Sequence, residues 1–301
     1  MIKDQETNFL YLADTLEQEY PDFYGNLIEG LKELDIPFGI IHGTKDVWAK
    51  DYMPIQITHD KFVQFIYDPT YLKEETIFDG AYGPPVDFDG TFQYLKTDPI
   101  SVCEMLGIET YKSKLVIDGG NVIKWTNKAI LSSRIYKENP DFSKNDLHEL
   151  LKKELEIEEL IIVPEPPYDY TGHADGIIRF IDENRVFIND LSEYSKTYRS
   201  KLLKALAKAN LEYIELPIDT VNGEYGFMPV IYGLYINYLE MEQGIIVPSF
   251  CDHEVFEVMQ IFELREIFEP VFPNKKIIFV ESSEIAANDG VLNCISWAIR
   301  K

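Results

Sequence analysis

One cysteine, one histidine and several aspartates stand in short polar loops, and together their types could perform covalent chemistry on a cation. Cys294 has the side chain of a nucleophile, and His173 has that of a proton carrier able to serve it. Asp175 follows His173 by two residues, so along a strand both side chains would point to the same side. The histidine would then move a proton while the carboxylate anchors a cation. Asp51 follows an apolar strand and has Trp48 beside it.

Each of these residues also has an ordinary structural explanation. A free cysteine is most often a small buried hydrophobe, and a single aspartate most often shapes a turn. Asp118 precedes two glycines, but the segment leads into a strand instead of a helix, so it is not a dinucleotide-binding loop. A metal site would use His173 and Asp175, yet no second His or Cys lies at ligand spacing. We therefore favour a nucleophile with an acid/base partner, and we predict neither metal nor cofactor.

The polar loops recur because the chain repeats one pattern, in which a helix leads to an apolar strand, a polar loop and a hairpin. The clearest copy has the helix Ser143–Glu156, the strand Leu160–Val163 and the hairpin Gly176–Ile181 with Arg185–Asn189. Five copies have loops near residues 51, 118, 173, 224 and 290. The fifth copy ends in a strand predicted from Val291 to the C-terminus.

Repeated units of strands and a helix favour a closed ring, because a ring leaves no sheet edge exposed. An ordinary mixed α/β domain is the alternative. In a ring the equivalent loops would converge on one axis, and the fourth loop would present Asn222 and Glu224 before a strand at Ile231–Tyr238. The segment Tyr71–Lys96 does not fit the repeat and is predicted to be an insertion. We treat residues 1–301 as one domain.

The charge of the chain limits its partners. Lys and Arg number 28 and Asp and Glu number 52, so the net charge is −24. Such a charge repels phosphate backbones and anionic lipid, which argues against nucleic-acid and membrane-surface binding. Grouped carboxylates need a cation, and a planar guanidinium can donate bidentate hydrogen bonds to paired carboxylates. Three cysteines, no signal peptide and no apolar run of about 20 residues predict a reducing, cytoplasmic setting.

The ordered set of motifs resembles the agmatine deiminase and bacterial peptidyl-arginine deiminase family. The motifs that carry the resemblance are Trp48-x-x-Asp51-x-x-Pro54, Asp118-Gly119-Gly120-Asn121, Gly172-His173-x-Asp175-x-x-x-Arg179, Tyr235-x-Asn237-Tyr238 and Gly290-x-x-Asn293-Cys294. The fold that this resemblance implies is a five-bladed α/β propeller, or pentein, of ββαβ units around a pseudo-fivefold axis. The chain departs from the family at Lys50, where an Arg is usual, and at Asn293, where a His is usual.

The resemblance also implies a role for each matching residue. Cys294 would attack the guanidinium carbon, and His173 would protonate the departing ammonia and later activate water. Asp51 and Asp175 would hold the guanidinium nitrogens, with Asp118 as a further substrate contact. The remaining residues of the predicted substrate-binding set are Trp48, Gly120, Asn121, Arg179 and Asn222.

The predicted function is a hydrolase that converts a small cationic guanidine into a ureido product and ammonia. An amidinotransferase would pass through the same covalent intermediate but deliver the amidino group to an amine. A non-catalytic cation-binding relative and a metal-dependent hydrolase are further alternatives. A homodimer is compatible with the sequence.

Overall fold

The computed structural model describes residues 1–69, 96–167, 169, 171–192, 194–218, 233–250, 254–288 and 290–301. The described strands are β1 Phe9–Ala13, β2 Phe38–Ile41, β3 Ile55–Thr58, β4 Lys61–Ile66, β5 Thr110–Val116, β6 Ile123–Trp125, β7 Lys128–Ser132, β8 Glu159–Val163, β9 Ile178–Phe180, β10 Arg185–Asn189, β11 Glu212–Leu216, β12 Leu239–Glu240, β13 Ile245–Ser249, β14 Ile277–Glu281 and β15 Trp297–Ile299. The described α-helices are α1 Leu16–Glu19, α2 Pro21–Glu33, α3 Ala49–Tyr52, α4 Pro99–Met105, α5 Ile135–Glu138, α6 Lys144–Leu155, α7 Lys196–Lys208, α8 Glu254–Val271 and α9 Ser283–Ala286.

Within the described residues, the strands form five three-stranded sheets of one topology. In each sheet the first strand pairs antiparallel with the middle strand, and the middle strand pairs parallel with the third. A parallel pair needs a crossover connection, and in every unit at least one helix lies between the second and third strands. The predicted repeat of five ββαβ units is therefore confirmed.

The chain termini meet in one sheet. The C-terminal strand β15 pairs antiparallel with β1, and β1 pairs parallel with β2, so the fifth unit joins both ends of the sequence. The strand β1 was not predicted from the sequence. The predicted last strand was too long, because only residues 297–299 are extended and residues 292–295 form a turn.

The helix predicted at Ser143–Glu156 forms as α6. The Ser143 hydroxyl accepts a hydrogen bond from the Asp146 amide and caps α6, which buries Leu147, Leu151 and Leu155 on one face. Ser195 caps α7 in the same way. The helix α2 packs against β14 of the neighbouring unit, so the apolar core continues from one sheet to the next.

A short turn precedes the first strand of each sheet, and these five turns position the candidate site. We call them site turns 1 to 5, and they are Ala49–Tyr52, Gly119–Asn121, Ala174–Gly176, Tyr235–Asn237 and residues 292–295. Site turns 1 and 2, 2 and 3, and 3 and 4 pack against each other in order. The backbone N–H of Asn293 donates to the backbone carbonyl of Asn237, which joins site turns 5 and 4. The backbone N–H of Lys50 donates to the backbone carbonyl of Cys294, which joins site turns 1 and 5 and closes the ring.

The fourth site turn corrects the prediction for that unit. Residues 235–237 form a 3₁₀ helix, so the strand predicted at Ile231–Tyr238 is wrong over this part. The turn before β12 therefore presents Asn237. Asn222 and Glu224, predicted for this place, lie outside the described residues, as does the predicted insertion except Lys96.

Candidate active site

His173 lies between two carboxylates contributed by the preceding site turns. Its Nε2 is 3.1 Å from Asp118 Oδ2, and its Nδ1 is 3.5 Å from Asp51 Oδ1. Burial lowers the pKa of the imidazole, but the carboxylates outweigh burial and raise the pKa of His173 well above its ordinary value. His173 therefore holds a proton that it can give to a leaving group.

His173 and Asp175 do not lie along a strand as predicted, because residues 174–176 form a 3₁₀ turn that begins after His173. The turn directs the two side chains to different partners. Whereas His173 contacts Asp118 and Asp51, the Asp175 carboxylate accepts a hydrogen bond of 2.7 Å from Asn293 Nδ2. The two predicted roles, proton transfer and the anchoring of a cation, would therefore fall on two sides of the same turn.

Cys294 lies in site turn 5 with its sulfur beside Asp175 and Asn237. The Sγ atom is 3.6 Å from Asp175 Oδ2 and 3.2 Å from Asn237 Nδ2. Burial, followed by the charges of Asp175 and Asp51, raises the pKa of the Cys294 thiol well above its usual value. Burial and these charges therefore favour the thiol over the thiolate, and a bound cation would favour its ionisation.

Asp51 is buried where other carboxylates oppose its charge. Burial, with a contribution from Asp118 and Asp175, raises the pKa of Asp51 to about 8, although His173 and the Gly120 amide act against the rise. The Gly120 N–H donates to Asp51 Oδ1 at 2.9 Å. At neutral pH Asp51 therefore retains a proton that a bound guanidinium could replace.

Two positions of site turn 2 must be glycine because atoms of the neighbouring site turns approach them closely. A Cβ at Gly119 would lie 1.9 Å from the Lys50 carbonyl oxygen. A Cβ at Gly120 would lie 2.6 Å from Asp51 Oδ1 and 2.7 Å from His173 Nδ1. The Gly-Gly pair therefore lets the site turns meet without a side chain between them, which explains the sequence better than a flexible turn does.

One oxygen of the cluster has no donor among the described residues. Asp118 Oδ1 is buried without a hydrogen-bond partner, while Oδ2 faces His173. A buried carboxylate oxygen in this condition is costly unless a donor reaches it. In the same turn the Asn121 oxygen accepts from the Ser132 amide, and its Nδ2 has no acceptor in the described part of the chain. Asn121 thus holds site turn 2 onto β7.

Trp48 borders site turn 1 and packs on the segment that precedes the nucleophile. A Cβ at Gly290 would lie 2.3 Å from the Trp48 ring, so only glycine permits this contact. Trp48 is partly buried, and its amide is held by Asp46 Oδ1 at 2.9 Å. The indole is thereby fixed between the residues before Asp51 and those before Cys294.

Arg179 does not join the cluster predicted from its motif. Its guanidinium donates to the Tyr238 carbonyl at 2.8 Å and to Asp4 Oδ2 at 2.9 Å, and it lies 4.6 Å from the centre of the Tyr238 ring. Asp4 also pairs with Lys124 at 3.3 Å. These contacts tie the N-terminal segment to β6 and β9, so Arg179 has a structural role in this arrangement.

The loop that carries His173 rests on the end of the neighbouring sheet. The Ser132 hydroxyl donates to the Gly172 carbonyl at 2.5 Å, and the Arg134 side chain packs beneath Gly172, whose φ of +68° suits glycine. Arg134 also pairs with Glu138 at 3.3 Å. Burial, followed by the Asp118 charge, raises the pKa of Glu138 to about 7.

Two amides in the cluster were absent from the predicted site set. Asn237 binds the Cys294 turn, and Asn293 binds Asp175. Both residues stand in the motifs that carried the resemblance. Their presence in those motifs, and the ability of an amide to bridge a thiol and a carboxylate, was the signal in the sequence.

The described residues contain no group of three His, Cys, Asp or Glu side chains arranged to hold a metal ion. None of the described helices meets the length and hydropathy needed to span a bilayer.

Comparison with known families and structures gives consistent results. The sequence profile of the Porphyromonas-type peptidyl-arginine deiminase family matches residues 17–299. A Latilactobacillus sakei protein provisionally named agmatine deiminase is 27% identical over 294 residues, which cover 84% of this chain and 75% of the relative. A protein named agmatine deiminase from Ectopseudomonas mendocina is 22% identical over 290 residues, covering 84% and 74%.

Among solved structures, the C. jejuni agmatine deiminase superposes with a TM-score of 0.75 at 19% identity. The superposition covers 100% of this chain and 95% of that one. Together with the five equivalent sheets, this similarity confirms the predicted five-bladed α/β propeller.

Proposed function

Since the chain belongs to the Porphyromonas-type peptidyl-arginine deiminase family, we propose that it is a hydrolase that deiminates a guanidine to a ureido product and ammonia. Site turns 1, 2, 3 and 5 supply the groups that this reaction requires. The observation that carries the proposal is that the Cys294 thiol lies beside the Asp175 carboxylate, while Asp51 and Asp118 flank His173.

The carboxylates provide the recognition of a planar cation. A guanidinium presents N–H donors in one plane, which match carboxylate oxygens. Asp51 and Asp175 are assigned to hold the nitrogens, and the buried Asp118 Oδ1 is assigned to receive a further N–H. Binding would also neutralise part of the negative charge that keeps Cys294 protonated.

The first half of the reaction releases ammonia. The Cys294 thiolate attacks the guanidinium carbon, and a C–S bond forms as the carbon becomes tetrahedral. The His173 imidazolium gives its proton to the departing nitrogen, the C–N bond breaks, and ammonia leaves. A thiouronium remains on the sulfur, and His173 is neutral.

The second half consumes water. Neutral His173 takes a proton from water as the oxygen bonds to the thiouronium carbon. The C–S bond then breaks with its electron pair returning to the sulfur, the remaining hydroxyl proton passes to solvent, and the neutral ureido product leaves. Asp118 and Asp51 keep the imidazole oriented through both halves by their contacts with Nε2 and Nδ1.

We assign the substrate to free cationic guanidines such as agmatine. Relatives named agmatine deiminase support this choice, because they align with most of the chain. Around the described turns, the guanidinium groups of Arg134 and Arg179 are engaged by carboxylates. Neither is therefore placed to bind a substrate carboxylate, which favours agmatine over arginine.

A panel of guanidines tests the function. Ammonia and ureido-product release would be measured with agmatine, arginine, an arginyl peptide and guanidino acids, beside a Cys294→Ala control. We expect turnover of agmatine that the substitution abolishes. Transfer of the amidino group to an added amine would instead show an amidinotransferase. Binding of guanidines without turnover would show a non-catalytic relative, and an equally active Cys294→Ala enzyme would remove Cys294 from the mechanism.

A further inference from the structure

Asn237 occupies a position between the two reactive ends of the site. Its side chain is fully buried in site turn 4, which is packed against site turn 3. Its Oδ1 accepts the backbone N–H groups of Asn293 at 3.0 Å and Cys294 at 3.2 Å. Because both of these are donors, the amide oxygen must face site turn 5 and the NH₂ group must face the other way.

The NH₂ group faces the sulfur and the carboxylate that opposes its ionisation. Nδ2 lies 3.2 Å from Cys294 Sγ and 3.4 Å from Asp175 Oδ2. An amide NH₂ has two hydrogens, so it can donate to both atoms at once. Among the described side chains, only that of Asn237 donates a hydrogen bond to Sγ, and the Val291 backbone N–H also acts on the thiol. Asp175 can only accept the thiol proton.

We propose that Asn237 is a further catalytic residue, whose Nδ2 amide stabilises the Cys294 thiolate by a hydrogen bond. This role rests on the proposed function, since it takes Cys294 as the nucleophile. The negative charges of Asp51 and Asp175 oppose formation of the thiolate. The positive charge of protonated His173, which directly precedes site turn 3, acts in its favour. A buried hydrogen bond to an ionised group is stronger than one in water, so a single amide has a large effect here.

The proposal distinguishes two uses of one side chain. Oδ1 holds the backbone of site turn 5, which is a structural contribution. A test must separate this contribution from the effect of the Nδ2 donor on the sulfur. Nδ2 acts on the sulfur, so its loss changes the thiol pKa even when site turn 5 stays in place. The readout must therefore be the ionisation of Cys294 and not activity alone.

The test is the pH dependence of Cys294 alkylation by iodoacetamide, followed by mass spectrometry of the Cys294 peptide. Following this peptide excludes signals from the other two cysteines, Cys103 and Cys251. Asn237→Ala removes the donor without adding charge, and we expect the thiol pKa to rise by about one to two units. At a fixed pH below both pKa values, alkylation would slow by roughly 10- to 100-fold.

Asn139→Ala is the matched control. Asn139 is buried, and its side chain makes three hydrogen bonds: Oδ1 accepts from the Val116 N–H, and Nδ2 donates to the Val116 and Ile135 carbonyls. This variant should lose stability comparably while its Cys294 alkylation profile stays that of the wild type. A folded Asn237→Ala protein with an unshifted profile would overturn the proposal.

If Asn237→Ala does not fold, Asn237→Asp is measured in its place, because it keeps the acceptor that holds site turn 5 and loses the donor to the sulfur. Loss of the donor and the added charge act in the same direction on the thiol, so the informative result is an unshifted profile. An upward shift of its alkylation profile is expected, and an unshifted profile would overturn the proposal. The experiment needs no turnover. Lack of turnover in the guanidine panel, combined with a shifted profile, would reject the proposed function and leave the effect of Asn237 on the thiol intact.

Discussion

Substitution of Gly120 by alanine tests whether the contact between site turns controls the reaction. The added methyl would lie 2.6 Å from Asp51 Oδ1, 2.7 Å from His173 Nδ1 and 3.3 Å from Asp175 Oδ1. The first two distances are about 0.7 to 0.8 Å short of ordinary van der Waals contact at 3.4 Å. All three side chains are buried, so the methyl must displace the groups that bind and protonate the substrate.

Displacements approaching 1 Å among reacting groups cost on the order of 10²-fold in rate. We therefore expect Gly120→Ala to lower kcat/KM for the guanidine substrate about 100-fold, measured by ammonia release, with the fold retained by circular dichroism. Gly176→Ala is the control, because a Cβ there meets its nearest atom, Asp169 Oδ2, at 3.6 Å. A folded Gly120→Ala enzyme with wild-type kcat/KM would refute the reasoning.

Three further predictions concern protons and buried charge. Guanidine binding to the Cys294→Ala protein should release about one proton at pH 7, because the cation displaces the Asp51 proton; calorimetry in buffers of different ionisation enthalpy measures this release. For the same reason Kd should fall about tenfold per pH unit up to about pH 8. A pH-independent Kd would contradict this. Arg179→Met should lower the free energy of unfolding in urea by roughly 1 to 3 kcal/mol, because it removes one of the two cations that pair with Asp4 and the donor to the buried Tyr238 carbonyl. A raised KM with unchanged stability would show a substrate contact instead. Lys124 and Arg179 lower the pKa of Asp4 in the folded protein. The ionised Asp4 therefore stabilises the fold above its unfolded pKa of about 4, and this stabilisation should be lost as the pH falls further. Asp4→Asn should make the free energy of unfolding less dependent on pH in this acidic range.

The sequence predicted the repeat because each unit has its own helix and strands with clear apolar spacing. The helix α6 shows this well, since Ser143 and the leucine spacing define both its start and its buried face. The strand β1 was missed because its partners β15 and β2 include the far end of the chain, and local pattern does not reveal such pairing.

The sequence predicted those site residues whose side-chain type has few roles in proteins. It was less successful for residue types that have many structural roles. Cys294, His173 and the three aspartates come together as their motifs predicted. Arg179 was placed with them because it shares the His173 motif, but β9 directs its side chain to Asp4 and Tyr238. Asn237 was overlooked because an asparagine in a turn has many structural uses, and only the contact with Sγ distinguishes it.

The central claim is that Cys294 carries the substrate carbon during turnover. Acid quenching of the enzyme during steady-state turnover of the active guanidine, followed by mass spectrometry, measures this directly. The account predicts a Cys294 peptide heavier by the mass of the substrate less ammonia, which disappears when substrate is exhausted. Turnover without any adduct on Cys294, or an adduct on a different residue, would contradict it.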